Sequence, residues 1–307
     1  MSAAIGATVL LVALSLHVET QRASYNRFVD KALFEHGVKI NLIGTSNFSR
    51  QEDGKTLEVG INPDATPASK NYVHAAYSFL GQFGGHTVEL TQRIDNFFET
   101  SRYVYVSPQN MPLQQSAELF LNHLRSSSQL AYVGNLSGEF WSYLNATLPG
   151  FNGTSFYFNS EFSNIDFDRV IKTGAPHKLE NTRIEKSVVY VNAPQSQSFS
   201  NYVALQEIFQ EYNMAADVND PEFRLASILY DHDDQLGTLT GSQRLDELQK
   251  NAAMGLCPFD VMLTMQLQKS KGSNPSPAGL TEFALLNMRS YYSYWTSRSD
   301  LFDDRCW

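Results

Sequence analysis

The segment Gln206-Glu207-Ile208-Phe209-Gln210 has two amide side chains, Gln206 and Gln210, at a spacing of one helical turn. A carboxylate, Glu207, directly follows the first of them. When the two outer positions of this spacing are histidines, they hold Zn²⁺, and the glutamate acts as a general base. Here glutamine occupies both outer positions, and Ala216 stands at the spacing of a third ligand. The sequence therefore predicts no bound metal and no other cofactor at this helix.

The loss of the metal bears directly on activity. Bound Zn²⁺ lowers the pKa of water from ~15.7 to about 7, which amounts to roughly 12 kcal/mol of nucleophile activation. A positioned carboxylate alone supplies about 3–5 kcal/mol. Glu207 is thus a vestigial catalytic candidate. Three interpretations stay open for this helix face: a solvated surface, a buried hydrogen-bond network in a cleft, and residual catalysis.

The flanking sequence predicts which elements precede and follow this helix. A β-branched strand over 186–192 ends at Ala193-Pro194, and a polar loop is predicted over 195–200. A helix follows from about 201 to 214. Asn213 falls where a bend would come, and Asn adopts the left-handed conformation at low cost. The segment Ser227-Ile228-Leu229-Tyr230 lies a short way downstream.

This order of elements resembles metzincin-type zinc peptidases, in which a Ser-Ile-Met-x-Tyr-like turn lies beneath the metal. The segment Ser227, Ile228, Leu229, Tyr230 is similar to that turn, with leucine in place of methionine. Residues 185–268 also resemble an uncharacterised domain family of secreted proteins that keeps a Glu-x-x-Gln version of the helix. By position, Glu207 matches the general base, Gln206 and Gln210 the first two ligands, and Ala216 the third.

The resemblance implies an α/β fold with a zincin-like mixed sheet, an active-site-type helix and a C-terminal helical subdomain. It also implies a pseudo-metallopeptidase that acts by binding, with a peptide or protein in the ancestral cleft, or as a structural module. We divide the chain into a signal peptide (1–21), an N-terminal α/β region with glycosylated loops (22–180) and a degenerate zincin-like region (181–307).

Several features predict export from a eukaryotic cell. The apolar start has the length of a signal-peptide core and is shorter than the ~20 residues of a membrane span, so we expect no stable span in the mature chain. Three of four glycosylation sequons fall within eighteen residues; the four acceptors are Asn47, Asn135, Asn145 and Asn152. A secreted, extracellular glycoprotein is the expected product.

Two cysteines, Cys257 and Cys306, agree with an oxidising compartment, where they would form a disulfide. The alternative is two buried free thiols. The net charge is −9, and the chain has no run rich in lysine and arginine. Both facts argue against nucleic acid as a partner.

Other polar and aromatic residues leave open a second class of function, that of a hydrolase. The acidic turn Tyr230-Asp231-His232-Asp233-Asp234 could bind a divalent cation in a secreted hydrolase with an unrecognised site, although a solvated turn is the simpler interpretation. The aromatic run 291–295 fits either a carbohydrate-stacking surface or core packing. Helices are predicted over 69–83, over 112–125 and from Pro258, and loops with short strands over 135–162.

Overall fold

A computed structural model describes the chain in segments. The described residues are 19–20, 22–29, 31–32, 56–91, 100, 102–126, 138–158, 186–213, 215, 217–230, 241–270, 293–294 and 296–306. Within them the fold is α/β, as the sequence predicted.

A five-stranded mixed sheet forms the centre of the structure, in the order β2-β1-β3-β5-β4. Strands β1, β2, β3 and β5 are parallel neighbours, whereas β4 runs antiparallel to β5 at one edge. The strands are β1 (Thr56–Ile61), β2 (Thr87–Thr91), β3 (Arg102–Val106), β4 (Gly153–Phe158) and β5 (Lys186–Val191). The sheet therefore joins the region before residue 180 to the region after it.

Six helices flank the sheet within the described ranges of 56–270. They are α1 (Pro67–Gly84), α2 (Leu113–Ser126), α3 (Gly138–Thr147), α4 (Gln197–Asn213), α5 (Gly241–Asn251) and α6 (Pro258–Ser270). The residues at both ends of α1 explain where this helix begins and ends. Thr66 caps α1 by accepting a hydrogen bond from the Ser69 N–H, and Gly85 ends it with a φ of 76° that favours glycine.

The two faces of the sheet carry different cores. Valines alternate along β3 and β5 on one face, where α1, α4 and α6 cover Val104, Val106, Val189 and Val191. Tyrosines occupy the alternate positions, and Tyr103, Tyr105 and Tyr190 pack under α2 and α3 on the other face. This alternation is the two-residue period of a strand buried on both sides.

A short N-terminal helix, described at 22–29 and 31–32, packs on the C-terminal part of the fold. Tyr25 and Phe28 are buried, and their rings lie within 5.6 Å of Phe259 in α6. Arg27 forms an ion pair with Glu222. No helix in the segments that the structure describes combines the length and apolar character needed to cross a membrane.

The disulfide between Cys257 and Cys306 is formed, which confirms the predicted pairing. It ties the end of the chain to the residue before α6. A bridge between Leu256 and Phe302 and the hydrogen bond from the Leu256 N–H to the Leu301 carbonyl reinforce this connection.

Two predicted elements are wrong in detail. The region predicted as loops with short strands over 135–162 does contain strand β4, but it also contains helix α3, whose aromatic residues pack on the tyrosine face of the sheet. The loop predicted over 195–200 is in part helix, because α4 begins at Gln197. The Ser196 hydroxyl accepts a hydrogen bond from the Phe199 N–H, so the polar residues there cap a helix.

Candidate functional site

Helix α4 carries the Gln-Glu-x-x-Gln segment between the sheet and helix α1. Thirteen of its residues are buried, so its polar residues do not lie on an open surface. A solvated helix face is therefore the wrong interpretation for Glu207 and Gln210, whose exposed fractions are 7% and 4%. Gln206 is partly exposed.

Glu207 lies against the edge strand β4. The Ser155 hydroxyl donates a hydrogen bond of 3.0 Å to the Glu207 carboxylate. A Cβ atom placed on Gly153 would come within 2.7 Å of Glu207 Cγ and 2.6 Å of Val203 Cγ1. The absence of a side chain at residue 153 is thus what lets the helix and the edge strand come so close.

The second amide reaches the segment after the helix. Gln210 Nε2 donates to a carboxylate oxygen of Asp217, and the Gln210 carbonyl accepts from the Ala215 N–H at 3.1 Å. Gln206 has no hydrogen-bond partner among the residues that the structure describes. Its amide can both donate and accept hydrogen bonds.

The Ser227-Ile228-Leu229-Tyr230 turn lies beside this helix end. Leu229 is fully buried, and its carbonyl accepts from the Val218 N–H at 2.7 Å. Asp217 next to Val218 contacts Gln210, so one continuous chain of contacts joins the helix to the turn. Two features that the sequence singled out, Gln210 and the turn at residues 227–230, are thus brought together.

Asp260, which the sequence analysis missed, holds this turn in place. Its carboxylate accepts hydrogen bonds from the Ser227 hydroxyl, from the Ile228 N–H at 2.9 Å and from the Cys257 N–H at 2.8 Å. Burial raises the pKa of Asp260, and these hydrogen bonds lower it; the net pKa is about 7. The sequence does contain a signal for Asp260, because an acidic residue two positions after Pro258 falls in the first turn of α6, where such residues bind backbone N–H groups.

A buried ion pair supports α4 from the sheet side. Glu211 is fully buried, and its carboxylate lies 3.5 Å from the Arg102 guanidinium at the start of β3. The Tyr77 and Ser187 hydroxyls donate to the same carboxylate. The Arg102 guanidinium also lies over the ring of Tyr212, 4.9 Å from its centroid. These contacts fix the rotation of α4, which decides where Glu207 and Gln210 are directed.

The expectation for Asn213 is wrong. Among the described residues Asn110 alone has a positive φ outside glycine, so Asn213 is not left-handed. Asn213 is the last residue of α4, and its amide donates to the Thr264 hydroxyl of α6 at 2.9 Å and to the Phe209 carbonyl. It connects two helices instead of turning the chain.

Other predicted site residues fall in two groups. Ala216, the acidic turn with His232 and the acceptors Asn47 and Asn135 lie outside the described residues. Asn145 is exposed on α3, and Asn152 is partly exposed directly before β4. Of the run 291–295, Tyr294 packs at 5.6 Å from Phe79 and 5.5 Å from Phe83, which supports core packing for this ring.

Within the described parts of the chain, no group of three or more His, Cys, Asp or Glu side chains could hold a metal ion. The candidate site instead offers one carboxylate, two amides and a hydroxyl at the edge of a sheet. Such groups can bind a polar backbone. Searches of protein-family profiles, curated proteins and solved structures found no match to this chain.

Proposed function

We propose that this chain is a secreted glycoprotein whose zincin-like domain works without metal and binds an extended peptide along strand β4. In this proposal the domain is a pseudo-metallopeptidase. The observation that carries it is the place of Glu207, which is buried against the edge strand of the sheet. The mixed sheet, the helix after β5 and the turn beneath it support the resemblance to metzincin-type peptidases.

Strand β4 has an edge suited to a peptide. Among the described residues it pairs only with β5. The Asn192 N–H donates to the Asn152 carbonyl at 2.6 Å, which sets the alternation of this antiparallel pair. The backbone N–H and C=O groups of residues 154 and 156 then point towards β5, whereas those of Gly153 and Ser155 point away from it. An extended peptide would add to the sheet through these outward groups.

The replaced metal ligands fit a binding role. Gln206 is partly exposed and without a hydrogen-bond partner in the described structure, so its amide is free for a peptide group. Gln210 is hydrogen-bonded to Asp217, and Glu207 is already engaged by Ser155. The export features of the sequence and the disulfide support an extracellular setting for this site.

Proline substitution tests the strand-addition proposal. Linear peptides are first selected from a phage-displayed dodecamer library on the full-length wild-type chain. Ser155→Pro removes an outward N–H and leaves the pairing with β5 in place. We expect it to raise the dissociation constant of the selected peptides about ten-fold or more, because a loss of ~1.4 kcal/mol of backbone hydrogen bonding corresponds to a factor of ten.

The matched control is Ser155→Ala, which removes the contact with Glu207 and keeps the outward N–H. It should retain peptide affinity within about three-fold, a loss under ~1 kcal/mol. Thermal unfolding verifies that both variants are folded. Equal affinity of the Ser155→Pro variant and the wild type, or no enrichment of peptides at all, would contradict the proposal and leave a structural module as the remaining role.

A further inference from the structure

A second concave surface lies on the side of α4 that faces away from Glu207. The groove has a volume of about 390 Å³. It includes Ser198, Asn201 and Tyr202, which lie on a different helical face from Val203 and Glu207. Its size falls within the range of about 300–1,000 Å³ that is usual for sites of small ligands.

The groove combines apolar and aromatic side chains with carboxylates. Tyr72 of α1, Tyr202 of α4, Met254 and Phe302 contribute the first kind. Asp300 and Asp304 contribute the second, from the segment that the disulfide ties down. Burial and the nearby charge of Asp300 raise the pKa of Tyr72, so its phenol stays neutral.

The wall that carries these carboxylates is fixed in place. The Asp303 carboxylate accepts from the Met254 N–H at 2.7 Å and from the Arg305 N–H at 2.9 Å. Burial alone would raise the pKa of Asp303, but these bonds and the Arg305 guanidinium lower it, so Asp303 is ionised at neutral pH. Arg305 also donates to the Ala252 carbonyl at 2.9 Å. The groove is therefore formed before any ligand arrives.

The groove carries an unbalanced negative charge. Asp303 is paired with Arg305, and Asp300 with Arg298 at 2.9 Å. Asp304 is exposed, and Arg305 also lines the groove. The hydrogen bond to Asp303 and, after it, the charge of Asp304 raise the pKa of Arg305, so this one guanidinium faces two carboxylates. The three carboxylates outnumber the two guanidinium groups, Arg298 and Arg305. Rings beside an excess of negative charge suit a cation on an apolar stem, since the stem packs on the rings while the charge meets the carboxylate.

We propose that this groove binds an arginine or lysine side chain presented by another polypeptide, with the cation paired to Asp304. The observations that carry the assignment are the preformed wall, the aromatic lining and the unbalanced charge. The site shares no residue with strand β4. The two proposals can therefore fail separately.

Methyl resonances give a local readout of binding. The full-length chain is labelled at its methionine methyl groups, and the Met254 signal is assigned with Met254→Leu. Titration with acetyl-Gly-Arg-Gly-amide should shift this signal in a saturable way. The same peptide with citrulline in place of arginine keeps the shape, loses the charge and should leave the signal unchanged.

A pair of charge variants locates the cation. Asp304→Asn should raise the dissociation constant of the arginine peptide about five-fold, as expected for one exposed charge pair. Glu58→Gln changes the net charge equally but lies on the tyrosine face of the sheet, and it should leave the constant unchanged. An unmoved Met254 signal, equal binding of the citrulline peptide, or equal weakening by both variants would overturn the assignment.

Discussion

At the scale of single residues, the contact between Gly153 and Glu207 shapes the candidate site. Glu207 is held by the Ser155 hydroxyl, and its side chain fills the space where a residue larger than glycine at position 153 would put its Cβ. The helix and the edge strand therefore approach closely at the point where the carboxylate lies. Any atom added there must move the carboxylate or the strand.

Gly153→Ala should destabilise the protein. The new Cβ would meet Glu207 Cγ at 2.7 Å and Val203 Cγ1 at 2.6 Å, and such overpacking costs about 1–3 kcal/mol. We expect the free energy of unfolding, measured by urea denaturation, to fall by about that amount. The same variant should lose affinity for peptides selected on the wild type, because the edge strand that binds them is displaced.

Gly150→Ala is the matched control. No atom lies within 4 Å of its added Cβ, and its φ is not positive. The alanine should therefore leave the stability unchanged or raise it by up to ~1 kcal/mol through the unfolded chain. If both alanine variants unfolded at the same urea concentration, the close approach at Gly153 would be wrong.

At the scale of elements, Asp260 connects the turn at residues 227–230 to helix α6. Its carboxylate accepts from Ser227 and Ile228 on one side and from Cys257 on the other. Burial and the charge of Asp260 together raise the pKa of Tyr25 in the N-terminal helix. One buried carboxylate thus positions the segment on which the helix end and Gln210 rest.

The stability of this junction should depend on pH. Burial raises the pKa of Asp260 from 3.8 to about 7 in the folded protein. The folded state then holds a proton that the unfolded state has released, so this contribution is complete below about pH 4 and is lost as the pH rises to about 7. The loss is on the order of 4 kcal/mol.

Asp260→Asn removes this titration. Urea unfolding of both proteins between pH 4 and pH 7.5 should show the stability advantage of the wild type over the variant shrinking as the pH rises. Asp246→Asn, at an exposed position on α5, should follow the wild type throughout. An advantage of the wild type that stays constant or grows with pH would show that Asp260 is ionised in the folded protein at all of these pH values.

The elements differ in how well sequence predicts them. Helix α1 follows from its apolar spacing and its terminal glycines, since Val73, Ala76, Tyr77 and Leu80 are all buried as that spacing predicts. Strand β5 was likewise predicted from its β-branched residues. Helix α3 was missed because three glycosylation sequons, with acceptors at Asn135, Asn145 and Asn152, favoured a prediction of loops, although Asn145 lies inside the helix. The start of α4 was missed because capping residues and loop residues are the same polar types.

At the scale of the whole molecule, the sheet assembles the site from distant parts of the chain. Ser155 and Glu207 are separated by 52 residues, and Ser227 and Asp260 by 33. Periodicity and capping describe local structure only, so the sequence pointed to Glu207 and Gln210 but not to their partners. The Arg102–Glu211 pair, which crosses from β3 to α4, was equally beyond local patterns.

We propose that a metal-binding scaffold persists here with amides in the ligand positions. Restoring the ligands tests this most directly. Two histidines one turn apart bind zinc weakly on any exposed helix, so Gln206→His with Gln210→His is the reference. Adding Ala216→His supplies a third ligand that converges on the metal only if the geometry is zincin-like. Asp217 beside residue 210 would orient the new imidazole.

The deciding measurement is the zinc affinity of the triple-histidine variant against that of the double variant, by competition with a chelating dye. A conserved scaffold predicts at least about a hundred-fold tighter binding with the third histidine, roughly 3 kcal/mol. Equal zinc affinity of the two variants would mean that residue 216 does not converge with residues 206 and 210, and it would contradict the account.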